Sequence, residues 1–269
     1  MAAEIQKRRK LESDLEEALR AGRLELYYQP ILSLHSRRVV AMEALMRWRH
    51  PEHGLVFPGA FVAVAEETGL VRQLGSWALQ QACQDGVAFQ RLARNGEPIS
   101  VSVNVSPVQI LDPGFPARVE EVLVTTGFDP TMLVLEVTES SLVGDDRVVT
   151  QTFSQLRSTG ARLSVDDFGT GYSSLAYLGR FPVDEVKIDR MFIAEMSHQQ
   201  GRSVVEGICH LARAMRLEVV AEGIETAEPI EHLRAYGCDA IQGYLVSKAV
   251  PATQFAKAVK SDRGHTLRS

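Results

Sequence analysis

Residues 24–46 read LELYYQPILSLHSRRVVAMEALM, in which two apolar segments are separated by only five residues, 33–37. Both segments are rich in β-branched, aromatic and long aliphatic residues, a composition that favours strands. A crossover between parallel strands needs a dozen or more residues, so segments this close can pair only as an antiparallel hairpin. The stretch therefore predicts a fold that opens with a reversed strand pair.

Six further apolar segments follow, at residues 99–106, 132–139, 162–168, 184–189, 217–224 and 239–246. Helix-like stretches separate most of them, at residues 58–70, 115–127, 145–160, 203–216 and 227–237, and several of these end in Gly, as helices often do. Nearly continuous runs of Val, Ile and Leu joined by helices are typical of buried parallel strands. Eight such strands predict the α/β class and a (β/α)8 TIM-like barrel with an antiparallel first strand pair.

The chain divides into three segments by composition. Residues 1–22 are highly charged, and Leu11, Leu15 and Leu19 form one narrow apolar stripe, which predicts an N-terminal linker helix. Residues 23–260 carry the predicted barrel, and residues 261–269 form a polar C-terminal tail.

Composition excludes several classes of partner. The formal net charge of -5 lacks the basic footprint of a protein that binds nucleic-acid polymers. No apolar run approaches the roughly 18 residues of a membrane span, so no membrane contact is expected within this chain. The cysteines Cys83, Cys209 and Cys238 form no Cys-x-x-Cys pair, which predicts buried thiols and a cytoplasmic location.

Strands two to eight of the predicted barrel each carry a polar residue in apolar surroundings: Glu43, Asn104, Glu136, Asp166, Lys187, Glu222 and Gln242. Any one of them alone could be a hydrogen-bonded core residue. The carboxyl ends of parallel barrel strands, however, converge on one cavity where active sites gather. Several uncompensated carboxylates in one cavity would repel each other, so the pattern indicates a bound cation.

The candidate ligand atoms are all oxygens. Glu43, Asn104, Glu136 and Asp166 would hold one ion, and Asp167 and Glu222 are placed to hold a second. Hard oxygen ligands without His or Cys favour Mg²⁺ or Mn²⁺, and paired ions about 3.5 to 4 Å apart suit displacement at phosphorus. Ca²⁺, which takes more ligands at longer distances, is expected to inhibit.

Lys187 is a lone cation among these acids. It could orient or activate the attacking water, hold a phosphoryl oxygen, or form a purely structural ion pair. The residues by themselves leave these three roles open.

A set of motifs runs in order along the chain, from about residue 15 to 255: YYQPI, EALMRWRHPEHGLVFPGAFVAVAEETGL, VNVS, LEVTES, DDFGTGYSSLAYL, VKIDR, AEGIET and QGYLVSK. Each motif is short, but the ordered set is specific. It resembles EAL domains, the cyclic di-GMP phosphodiesterases.

The resemblance implies hydrolysis of cyclic di-GMP to the linear dinucleotide with Mg²⁺ or Mn²⁺. It assigns Glu43, Asn104, Glu136 and Asp166 to a first metal, Asp167 and Glu222 to a second, and catalytic roles to Lys187, Glu43 and Glu222. In the family, the lysine helps to position the water. Substrate contacts would come from Gln29, Arg47, Asp189, Glu225 and Gln242, with Arg47 on a phosphate, and Glu139 would support the glycine-rich loop after Asp167.

The resemblance also implies partners and alternatives. A homodimer through residues 172–181 is expected, and a sensor or GGDEF domain could lie upstream in a parent protein. Val246 and Ala249 depart from the family pattern, but no metal or lysine position does. The alternatives are an EAL domain that binds cyclic di-GMP without cleaving it and a domain with neither ligand nor activity; the complete ligand set favours the enzyme. The other class that opens cyclic di-GMP uses His-Asp ligands, and no His here precedes Asp.

Overall fold

A computed structural model describes residues 2–92, 98–142, 146–169 and 179–260. Its strands are β1 (Leu24–Ser33), β2 (Val39–His50), β3 (Gly54–Val56), β4 (Ser100–Val105), β5 (Leu133–Thr138), β6 (Arg162–Phe168), β7 (Glu185–Ile188), β8 (Glu218–Ala221), β9 (Ala240–Gln242) and β10 (Val250–Pro251). Eight of them, all except β3 and β10, form the barrel.

The sheet closes on itself through the first strand. Strands β2 and β4 to β9 are parallel neighbours in chain order, whereas β1 runs antiparallel to both β2 and β9. Within the short β1–β2 turn, the Ser33 hydroxyl accepts hydrogen bonds from the backbone N–H groups of His35 and Ser36. The prediction of a barrel with an antiparallel first strand pair is confirmed, and β3 and β10 are short additions paired to β2 and β1.

Helices surround the barrel. The α-helices are Ala2–Arg20, Val62–Thr68, Val71–Leu92, Pro107–Ile110, Phe115–Thr126, Asp146–Ser158, Arg190–Ala194, Gln199–Ala214, Ile230–Tyr236 and Ala252–Lys260, and 3₁₀ turns occur at Pro58–Ala60, Pro130–Met132, Glu139–Leu142 and Glu195–Ser197. Gly69, Gly127 and Gly237 end three of the helices in the left-handed conformation, as the Gly-terminated stretches predicted.

The N-terminal helix Ala2–Arg20 packs against the barrel wall. Leu15 and Ala18 are fully buried in a cluster with Trp48, Phe61 and Leu74. The helix therefore covers apolar surface beside β2; that it links the barrel to another domain remains a prediction.

The three cysteines are buried and free, as expected from their apolar surroundings. Among the helices described, none is long and apolar enough to cross a membrane.

Register places the polar strand residues at one end of the barrel. Asn104 on β4 lies opposite Glu136 on β5, and Thr138 at the end of β5 lies opposite Asp166 on β6. The parallel register therefore brings side chains that are far apart in sequence to the same end of the barrel.

Candidate active site

Lys187 lies at the centre of the polar cavity. Its side chain is only 1% exposed, and four carboxylates surround its Nζ atom. The distances from Nζ are 2.6 Å to Glu222 Oε1, 3.1 Å to Glu136 Oε2, 3.5 Å to Glu43 Oε2 and 3.6 Å to Asp166 Oδ1. These four acids come from four places in the barrel: β2, β5, β6 and the residue after β8.

The ammonium group stays charged despite its burial. Burial lowers the pKa of Lys187, but the four carboxylates outweigh it and hold the pKa well above its ordinary value. For Glu43, burial by itself would raise the pKa. Lys187 and hydrogen bonds from Gln242 and Asn104 outweigh it and bring the pKa of Glu43 below its ordinary value. Lys187 and Glu43 thus form a buried ion pair at neutral pH.

The other acids show an excess of negative charge. Burial, together with repulsion from Asp166, raises the pKa of Asp167 to about 6 and that of Glu222 to about 7. Burial and three neighbouring carboxylates also raise the pKa of Glu136, although Lys187 opposes the rise. One ammonium group does not neutralise this cluster, which is the electrostatic condition under which a further cation binds favourably.

The geometry of the acids fits a divalent cation. One carboxylate oxygen each of Asp166, Asp167 and Glu222 lies within 4.8 Å of the other two. Oε1 of Glu136 is buried without a hydrogen-bond partner among the described residues. The Asn104 amide donates to Glu43 Oε1 over 2.7 Å, which leaves its own oxygen as a ligand atom. These are oxygen donors of the kind that Mg²⁺ and Mn²⁺ prefer.

Two glutamines support Glu43 from the side of β1. Gln242 Nε2 donates to Glu43 Oε2 over 2.6 Å and lies 3.2 Å from Gln29 Oε1. Gln29 in turn donates to the backbone carbonyl of Ser247 over 3.1 Å. The chain of amides fixes the Glu43 carboxylate, and it is the reversed strand β1 that places Gln29 there.

An open pocket of about 260 Å³ lies above the acids. Its lining includes Glu43, Asp166, Glu222, Arg190 and Tyr244. A larger, mostly apolar cavity of about 570 Å³ adjoins it at Glu43 and Leu45. The acids therefore lie at the floor of a concave surface that can hold an organic ligand.

The residues predicted to contact substrate divide into two groups. Gln29, Glu225 and Gln242 line the 260 Å³ pocket. Arg47 does not: its guanidinium group stacks on Phe57 at 4.6 Å and on Tyr27 at 5.5 Å, and it donates to the carbonyl of Met46.

Asp189 does not line this pocket either. Its side chain accepts a hydrogen bond from the N–H of Met191 and caps the helix Arg190–Ala194. The substrate roles of both residue groups remain predictions.

Glu139 contacts the start of the glycine-rich loop. The carboxylate is buried and accepts a hydrogen bond from the backbone N–H of Gly169 over 2.9 Å. Gly169 has a φ of 96°, a left-handed conformation that glycine adopts without strain. The rest of the loop, residues 170–178, lies outside the described residues, so the dimer contact expected for residues 172–181 rests on sequence alone.

Sequence reasoning missed two residues at this pocket, Arg190 and Tyr244. Arg190 is the last residue of the VKIDR motif, which also contains Lys187 and Asp189, and Tyr244 follows Gln242 by two residues. Their position just past the carboxyl ends of two barrel strands was the available signal.

Comparison with known proteins identifies similar chains. The family model described as EAL domain matches residues 12–249. The bifunctional diguanylate cyclase/cyclic di-GMP phosphodiesterase MucR of Pseudomonas aeruginosa is 40% identical over 262 residues, which cover 96% of this chain and 38% of that protein. The cyclic di-GMP phosphodiesterase NbdA of the same organism is 40% identical over 263 residues, 96% of this chain and 33% of that protein. This chain thus spans about a third of the length of these relatives.

Solved structures share the fold. A PaMucR phosphodiesterase in complex with c-di-GMP superposes with a TM-score of 0.86 and 40% identity, covering 91% of this chain and 99% of that one. The EAL enzyme Bd1971, with cAMP and cyclic-di-GMP bound, gives a TM-score of 0.91 at 36% identity, covering 96% of this chain and 70% of that one.

The acidic cluster is expected to bind Mn²⁺, and Asp166→Asn should weaken that binding about tenfold or more because it replaces a charged ligand oxygen with a neutral amide. Calorimetric titration with MnCl₂ measures the change. Asp129→Asn is the matched control, since Asp129 only caps the 3₁₀ turn Pro130–Met132, a task that Asn performs equally well. Equal Mn²⁺ affinity in both variants would contradict the assignment.

Proposed function

The chain belongs to the EAL domain family, and from that premise we propose that it is a metal-dependent phosphodiesterase that hydrolyses cyclic di-GMP to linear 5'-pGpG. One observation carries the proposal: all six predicted metal ligands and Lys187 form one cluster of neighbouring side chains at the carboxyl end of the barrel. The relatives MucR and NbdA, which are named as cyclic di-GMP phosphodiesterases, and the c-di-GMP complex of PaMucR support the substrate.

The charge of the site supports two divalent cations. Five carboxylates, those of Glu43, Glu136, Asp166, Asp167 and Glu222, face one ammonium group, which leaves four negative charges when all are ionised. Two divalent cations would balance them. When bound, such ions polarise a phosphodiester and make a water more acidic.

The residues of the chain have separate tasks in this reaction. Lys187 keeps its protons at neutral pH, so it donates a hydrogen bond and orients the attacking water rather than accepting a proton from it. We assign the acceptance of that water's proton to Glu222, whose Oε1 lies 2.6 Å from Lys187 Nζ and therefore beside the water that Lys187 orients. Attack at phosphorus breaks the bond to the 3'-oxygen, which takes up a proton, and the phosphate stays on the 5'-oxygen.

Gln242, Gln29 and Asn104 hold the Glu43 carboxylate in place through the amide hydrogen bonds described above. An orientation fixed before the substrate binds lowers the cost of reaching the reactive geometry. We assign these amides a positioning role alongside the predicted contacts of Gln29 and Gln242 with substrate.

We also propose a cytoplasmic location, supported by three free thiols that a reducing compartment preserves. Cell fractionation would test it.

We propose further that a sensor or GGDEF domain lies upstream in the parent protein. The support is that the relatives are about three times as long as this chain, and sequencing the parent gene would test it.

The purified chain should convert cyclic di-GMP to 5'-pGpG in the presence of Mg²⁺ or Mn²⁺. Ca²⁺ alone should not support the reaction, and added Ca²⁺ should inhibit turnover in Mg²⁺. The reason is that Ca²⁺ takes more ligands at longer distances, which misaligns the water and the phosphorus. Chromatography of the products measures this. Glu43→Gln should lower turnover more than about 100-fold by removing a ligand charge.

Exposed Glu231→Gln serves as the control and should retain wild-type turnover. Tight binding of cyclic di-GMP with no product in either Mg²⁺ or Mn²⁺ would assign the chain to the receptor class instead.

We propose in addition a symmetric homodimer through residues 172–181. Residues 172–178 lie outside the described part of the chain. Phe181, the last residue of the segment, is described and is buried against Phe153, with ring centroids 5.3 Å apart. The support is the apolar and aromatic composition of YSSLAYLGRF, which is unusual for a barrel rim.

Light scattering at assay concentration should give the mass of two chains, and specific activity should fall on dilution as the dimer dissociates. A monomer with constant specific activity would overturn the dimer proposal.

A further inference from the structure

Arg190 occupies a distinctive place in the catalytic pocket. It follows Asp189 at the start of the helix Arg190–Ala194, and its exposed side chain lines the pocket together with Asp166, Glu222 and Glu225. Among the described residues that line this pocket, it is the one with a permanent positive charge. The site as assigned so far gives this charge no task.

The backbone holds Arg190 close to the metal-binding acids. Gly223, the residue after Glu222, has a φ of 68°, and a Cβ atom built there would lie 2.4 Å from the Cβ of Arg190. Only glycine permits so close an approach. The contact fixes the root of the Arg190 side chain beside the segment that carries Glu222.

The guanidinium group of Arg190 is available to a ligand. Within the described ranges it forms no ion pair and donates no hydrogen bond to a side chain or carbonyl. The other nearby cations already have partners: Lys187 lies buried among four acids, Arg47 stacks on Tyr27 and Phe57, and Lys248 lies over the ring of Tyr244.

A cyclic dinucleotide brings two negative charges into this acidic pocket, one on each phosphodiester. The metal ions would neutralise the phosphate that is cleaved. The other phosphate would face the remaining lining, in which Glu225 repels it and Arg190 attracts it. A guanidinium fork matches phosphate geometry, and charge-assisted hydrogen bonds of this kind are strong.

We propose that Arg190 binds the second, uncleaved phosphate of the cyclic dinucleotide and thereby determines specificity for substrates with two phosphodiesters. The inference rests on the proposed function of the site. Because this phosphate does not react, its contact with Arg190 is as strong in the ground state as in the transition state, and it contributes to binding rather than to the chemical step.

The test compares Arg190→Ala, Arg190→Lys and wild type in turnover of cyclic di-GMP and in calorimetric binding of cyclic di-GMP and Mn²⁺. Arg190→Ala should raise KM and Kd for cyclic di-GMP about tenfold or more, with kcat and Mn²⁺ affinity close to wild type. Arg190→Lys should restore part of the affinity, since it keeps the charge but loses the fork.

Salt distinguishes a phosphate contact from a contact with a guanine base. The affinity gap between wild type and Arg190→Ala should narrow as NaCl is raised, because salt screens an exposed charge pair. Arg91→Ala is the control: Arg91 is exposed at the end of the helix Val71–Leu92, outside the pocket, and its loss should change nothing.

Three results would overturn the inference: unchanged cyclic di-GMP affinity in Arg190→Ala, a parallel loss of kcat and Mn²⁺ affinity, or an affinity gap that salt does not alter. If wild type binds cyclic di-GMP without cleaving it, the hydrolase proposal fails, but the Kd comparison still decides the role of Arg190. Wild type that neither binds nor cleaves it would overturn both.

Discussion

The buried ammonium group of Lys187 is the interaction on which the site depends. Four carboxylates from β2, β5, β6 and the residue after β8 lie 2.6 to 3.6 Å from it. Burying one unpaired carboxylate costs several kcal/mol, so four could not share a cavity without a cation between them. Lys187 therefore permits the acids to gather, and the charge that it leaves uncompensated is what a metal site requires. One side chain thus connects the stability of the barrel interior to its chemistry.

The closed barrel makes this arrangement possible, and the reversed strand refines it. Parallel register sets Asn104 beside Glu136 and Thr138 beside Asp166, so both acids lie at the same end of the barrel. Strand β1 runs antiparallel and contributes none of these acids. It contributes Gln29, which contacts Gln242, and Gln242 in turn holds the Glu43 carboxylate. Pockets above the acids then provide room for a ligand. Core packing, strand register and amide hydrogen bonds together fix the carboxylates of the site in place before a metal ion or substrate binds.

Much of this could be predicted from the sequence, and the remainder could not for identifiable reasons. Continuous apolar runs fixed the strands, and a five-residue connection was too short for anything but a hairpin. Polar residues at strand ends were expected to converge because barrel topology demands it. The sequence could not tell whether Lys187 pairs with one acid or with four, since that depends on the side-chain directions of residues on different strands, such as Glu136, which is 51 positions from Lys187 in the chain. Stacking of Arg47 on Phe57, and the approach of Gly223 to Arg190, depend likewise on loop conformations that local pattern does not encode.

The most direct test of the central role of Lys187 is the steady-state kinetics of Lys187→Met with cyclic di-GMP at saturating Mg²⁺. Loss of the ammonium group should destabilise the metal-free protein by about 3–5 kcal/mol, because it leaves buried carboxylates unpaired, and Mg²⁺ should restore much of that stability. If Lys187 also orients the attacking water, kcat should still fall by about 10² to 10⁴-fold with KM little changed. A near-normal kcat at saturating Mg²⁺ would show instead that Lys187 is only a structural counter-ion.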